Sequence, residues 1–168
     1  CCNTAIGTKA LGGAGYITGN DNVAVGNFAG CGLCAGSYNI FMGTESGKGS
    51  TSGGCNVALG KNTGTQVGGG TNNVFLGHNA GCCACTNAYY NVNIGTLAGA
   101  KLVSHCCSIN IGHCAGYSDF PGDSNVFIGS CAGWRGGCGD KNIAIGNAAG
   151  MNMKGTSKAV FIPFDLFP

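Results

Sequence analysis

Apolar and polar positions along this chain recur with a fixed period. One nine-residue unit reads Asn, apolar, variable, apolar, Gly, two variable positions, a small residue and Gly. It starts at Asn22 (NVAVGNFAG), Asn39 (NIFMGTESG), Asn56 (NVALGKNTG), Asn73 (NVFLGHNAG), Asn91 (NVNIGTLAG), Ser108 (SINIGHCAG), Asn125 (NVFIGSCAG) and Asn142 (NIAIGNAAG). An imperfect copy starts at Asn3 and a truncated one at Ala159, so the start-to-start spacings are 19, 17, 17, 17, 18, 17, 17, 17 and 17 residues.

Apolar residues at the second and fourth positions, with a variable residue between, follow the period of two that a short strand requires. The pattern predicts that the second and fourth side chains point inward and the third outward. On that reading Phe41, Phe75, Phe127 and Phe161 form an exposed stripe, an interface candidate unless a loop of the same chain covers it. Gly at the fifth and ninth positions marks corners that need positive φ or close backbone approach. The small eighth residue suits a crowded inner corner. Asn22, Asn39, Asn56, Asn73, Asn91, Asn125 and Asn142 fall in one column, where stacked amides hydrogen-bond from turn to turn as an asparagine ladder. A helical reading fails, because two Gly in nine residues would cost roughly 1 kcal/mol each against Ala and the apolar spacing is two. The expected fold is all-β, a parallel β-solenoid or β-roll of about ten 17-residue turns. With strands about 4.8 Å apart its rod is on the order of 45–50 Å long. The less regular half of each turn predicts a second short strand plus a loop. Residues 1–158 form the solenoid repeats, and 159–168 form a terminal partial turn with an apolar capping or docking tail that includes Phe164, Leu166 and Phe167.

Composition sharpens this picture. The chain of 168 residues has 34 Gly, 13 Cys and only 8% charged residues, with a net charge of +2. Collagen is excluded because Gly does not recur at every third position, and the apolar content excludes a disordered polymer. The small net charge, without a basic run, argues against nucleic acid. No apolar stretch approaches the roughly 18 residues of a membrane span. A chain opening at Cys1 without Met is expected to be processed or partial.

The repeat pattern resembles the head repeats of trimeric autotransporter adhesins and Gly/Asn-rich repeats of phage tail-fibre-like proteins, over almost the whole chain but at repeat level only. The resemblance implies a parallel β-roll on an extracellular, filamentous or adhesive object.

Cysteine placement carries the remaining chemistry. The high count points to an oxidising, extracellular or cell- or virion-surface setting. Cys114 and Cys131 share the seventh position of adjacent turns, with Cα atoms within the range that a disulfide tolerates. An intrachain staple, simple stacking and a lateral bond to another chain all fit that placement. Cys31 and Cys34 form one C-x-x-C, and Cys82 and Cys85 another at the same repeat positions. Three turns separate them, roughly 14 Å, too far for one zinc centre with bonds of about 2.3 Å. Cys1, Cys2, Cys106 and Cys107 occupy the last two places before a repeat start and are placed to bond a neighbouring subunit. No catalytic, metal or cofactor residues are expected, since the six acids are scattered and the Gly runs lack a P-loop lysine. The expected function is therefore a non-enzymatic structural subunit of an extracellular fibre. Its partner is itself, stacked end to end and cross-linked by disulfides. The alternative is a trimeric adhesin or tail-fibre-like domain that recognises a surface receptor or glycan.

Overall fold

A computed structural model describes residues 2–13, 15–66, 68–83, 88–101, 106–117, 122–135, 139–153 and 155–162. Each repeat contributes one strand: β1 Thr4–Ile6, β2 Val23–Val25, β3 Ile40–Met42, β4 Val57–Leu59, β5 Val74–Leu76, β6 Val92–Ile94, β7 Ile109–Ile111, β8 Val126–Ile128, β9 Ile143–Ile145 and β10 Val160–Phe161. They form one parallel sheet in sequential order, and every second-position residue pairs with the second-position residue of the next turn. The fold is thus an all-β parallel solenoid of about ten turns, as the repeat predicts.

Two corners follow directly from glycine. The fifth-position Gly26 has φ +135°, and a Cβ there would lie 2.7 Å from the Gly43 carbonyl carbon of the next turn. The ninth-position Gly133 has φ +64°, and a Cβ there would lie 2.6 Å from the Phe127 ring inside the lumen. Two further columns adopt φ near +55 to +65° without glycine. One is the seventh position, including Phe28, Glu45, Leu97 and Cys131, and the other precedes the Asn column, including Tyr38, Cys55, Tyr90 and Lys141. Such residues pay a left-handed penalty on the order of 1 kcal/mol or more. Hydrogen bonds between turns hold them there: Phe28 N donates to Thr8 O at 2.9 Å, and Tyr38 N to Asn20 O at 3.0 Å.

The Asn column sits at the corner before each strand and is buried. Asn56 shows its geometry. Its Nδ2 donates to Asn39 Oδ1 (3.1 Å) and to the Gly70 carbonyl (2.8 Å), while its Oδ1 accepts from Asn73 N (3.0 Å) and Asn73 Nδ2 (3.0 Å). The same bonds run from Asn3 to Asn91. Ser108 interrupts them: its amide donates to Asn91 Oδ1, and its hydroxyl accepts from Asn125 N at 3.2 Å. From Asn125 the column resumes through Asn142 to the Ala159 amide.

The facing of the strands is the reverse of the sequence expectation. Phe41, Phe75 and Phe127 are buried in the lumen, and Phe161 is half-buried against it. The second- and fourth-position aliphatics point outward. The physical reason is that each strand is only two or three residues long, so of each strand a single side chain reaches the narrow lumen, which the residues of the corners also line. Along that column Ala24, Phe41, Ala58 and Phe75 alternate small with large. Each ring then fills two layers: an added Cβ at Gly30 in the turn before would lie 3.0 Å from the Phe41 ring, and one at Gly64 would lie 2.7 Å from that of Phe75. Variation among Ala, Phe and Asn at this position therefore reflects volume matching inside, not freedom outside.

The lumen has two apolar segments. One runs from Leu11 to Ala88 and the other from Ala115 to Met153. Asn93 and Asn110 lie between them, both buried, with Asn110 Nδ2 donating to Asn93 Oδ1 at 2.7 Å. Their remaining groups, Asn93 Nδ2 and Asn110 Oδ1, have no hydrogen-bond partner. The irregular half of each turn does not form the expected second strand among the described residues. It contributes isolated parallel bridges, Ser50–Gly68, Thr71–Tyr89 and Tyr89–Cys106.

Candidate functional site

Nine inter-strand steps of about 4.8 Å make the outer sheet face on the order of 43 Å long. Two aliphatic columns cover it. The second position carries Val or Ile from β2 to β10, and the fourth carries Ile, Val, Leu or Met throughout. Ile40 and Met42 are 39% and 43% exposed, and Val74, Leu76, Ile143 and Ile145 are exposed to a similar degree, while the corresponding residues of β2, β4, β6, β7 and β8 are half-buried. Large apolar side chains of this kind are normally covered, and a contiguous uncharged band of them is the surface feature that marks a contact region. Polar columns border the band. On one side stand sixth-position residues such as Thr44, Lys61, His78 and His113, all exposed. On the other stand Tyr38, Cys55, Tyr90 and Cys107, also exposed.

The described cysteines Cys2, Cys31, Cys34, Cys55, Cys82, Cys83, Cys106, Cys107, Cys114 and Cys131 are all free thiols. Cys114 and Cys131 do occupy the same corner of adjacent turns, their amides donating to Thr96 O and His113 O, but no disulfide joins them. Cys31 and Cys34 are engaged separately, with Cys31 Sγ donating to Gly12 O at 2.8 Å and Cys34 Sγ to Gly32 O at 3.4 Å. Cys106 has its own amide bonded to Asp123 Oδ1 at 2.9 Å. Cys1, Cys85, Phe164, Leu166 and Phe167 lie outside the described residues.

Burial raises three of these thiols. Cys82 is pushed up to about 12 by burial and by its hydrogen bond with Cys83. Cys106 rises to about 11 through burial, then through Cys107 and the Asp123 carboxylate. Cys114 rises through burial and the neighbouring Cys131. The thiolate is the reactive form in disulfide exchange, and burial disfavours it at these three positions. No group of three His, Cys, Asp or Glu side chains among the described residues could hold a metal ion. No helix among them is long and apolar enough to cross a membrane.

No protein-family model, curated protein or solved structure matches the chain. The repeat, its parallel stacking and the two-column outer face therefore carry the functional reading.

Sequence reasoning missed this face because it assigned the aliphatics to the core. One signal pointed to it: the second and fourth positions stay aliphatic in turn after turn, whereas the third changes volume from Ala to Phe to Asn.

Proposed function

We propose that this chain is a non-enzymatic structural segment of an extracellular or virion-surface fibre, associating with copies of itself side by side through its aliphatic sheet face. The single observation that carries the reading is that face, two outward columns of Val, Ile, Leu and Met running the length of the sheet. A flat apolar strip bordered by polar residues matches the usual arrangement of an apolar interface centre and a wet rim. Identical solenoids present the same strip, so a closed cyclic assembly covers it on every copy. The repeat-level resemblance to trimeric adhesin heads and tail-fibre-like proteins makes three the expected number of chains. End-to-end stacking and disulfides between exposed thiols such as Cys55 and Cys107 would add to the lateral contact, which does not depend on them.

Negative-stain microscopy of the reduced protein tests the proposal. The expected images show rods wider than one solenoid, unchanged by reductant. Single rods at all concentrations, or assemblies that fall apart on reduction, would count against lateral packing. Display of loops to a receptor or glycan is the second reading, and the exposed Tyr38 and Tyr90 beside the strip are its candidate contacts.

A further inference from the structure

A groove of about 430 Å³ runs along the corner of turns three to five, between the seventh-position column and the tenth and eleventh positions. Glu45, Asn62 and Asn79 line one side, with Thr65, Cys82 and Cys83 on the other. Cys82 and Cys83 have their sulfurs 3.6 Å apart. Two sulfurs bound to one centre at about 2.3 Å with tetrahedral angles lie about 3.8 Å apart, and a linear centre would need about 4.6 Å. The observed span therefore fits a bent, two-sulfur chelate and not a linear one. The backbone around it is fixed: Cys83 N donates to Ala100 O at 2.9 Å, and Thr65 Oγ1 donates to the Cys82 carbonyl. In the same groove Asn62 Oδ1 is buried without a hydrogen-bond partner.

We propose that Cys82 and Cys83 form a bidentate thiol site for a trivalent, thiophilic metalloid centre, with the adjoining groove receiving the substituent on that centre. Two protein sulfurs satisfy such a centre when its third position is already occupied. A four-ligand metal would need donors that the described residues do not supply. The chemistry balances without an oxidant. With a trivalent arsenic oxide carrying one organic group, the arsenic–oxygen bond breaks and two arsenic–sulfur bonds form. The oxygen leaves as water, taking both thiol protons.

Phenylarsine oxide, titrated into the reduced full chain with excess glutathione present, provides the test. Intact mass and peptide mapping count and place the bound equivalents. The first equivalent is expected on Cys82–Cys83, resistant to the monothiol and removed by ethanedithiol. Cys82→Ser and Cys83→Ser are each expected to weaken it roughly 100-fold, since either leaves one-point attachment. Cys85→Ser, Cys106→Ser and Cys114→Ser should leave it unchanged. A first equivalent mapped elsewhere, or wild-type binding by either Cys82→Ser or Cys83→Ser, overturns the proposal. So does a site that needs Cys85 more than Cys83. A circular dichroism spectrum matching wild type is required of each variant, and Cys82→Ala and Cys83→Ala serve where a serine variant does not fold.

Discussion

Asn56 is the side chain whose removal states most clearly what holds one turn to the next. Its amide bridges three turns through four hydrogen bonds in a buried corner. Asn56→Ala leaves the Gly70 carbonyl and the Asn73 amide without these partners, and each buried unpaired group costs about 1–3 kcal/mol. The expected loss is about 2–4 kcal/mol in urea denaturation. Asn56→Ser should lose less, because Ser108 already shows that a hydroxyl can accept the next turn's amide. Thiols give a second expectation. The Cys82 thiol is raised from its ordinary value of 9.0 to about 12 in the fold. The unfolded chain therefore releases that proton first as pH rises. The Cys82 contribution to stability is intact below about pH 9 and is lost as pH climbs toward 12. A denaturation midpoint that falls across that window in wild type, and falls less in Cys82→Ala, is the expected outcome. The Gly corners and the Asn column were legible in the sequence because each has one physical use. The left-handed φ of Phe28, Leu97 or Lys141 was not. Ordinary side chains carry no mark of a conformation imposed by hydrogen bonds between turns.

Strands of three residues are too short to be stable alone, and each exists because its neighbours supply the ladder above and below. Their existence, order and register could be read from the 17-residue period. Their facing could not: alternation shows that two side chains share a face but does not say which face is inside. Turns six and seven are where the stack is expected to be weakest. There the apolar lumen gives way to Asn93 and Asn110 with one unsatisfied polar group each, and Ser108 interrupts the amide column. The preceding repeat is also the one that spans 18 residues, from Asn73 to Asn91. Hydrogen exchange is expected to show less protection of the amides of β6 and β7 than of those of β3 to β5. A double-mutant cycle should give coupling between Asn93 and Asn110. Asn110→Ala alone leaves Asn93 Oδ1 unpaired, so the double alanine variant is expected to be less destabilised than the sum of the two single variants.

Across the whole molecule, nearly all contacts join one turn to the next, so the rod has one axis of cooperativity and long continuous faces. The aliphatic face is the most distinctive of these. Its mid-sheet residues keep up to about two fifths of their surface exposed, and covering that remainder would add a corresponding fraction of the roughly 1.5–3 kcal/mol that full burial of such a side chain is worth. The fold itself was readable from the repeat, whereas the surface that carries the functional reading was hidden by the inverted facing of the strands. Sedimentation velocity on the reduced protein and on a Val57→Glu/Leu76→Glu variant, both on the outer columns of the mid-sheet, tests whether this face joins copies of the chain. Wild type is expected to sediment as a discrete oligomer and the variant as a folded monomer, since charges without partners would have to be buried in the contact. A wild-type chain that stays monomeric over a wide concentration range, or a variant that sediments as the same oligomer, would contradict it.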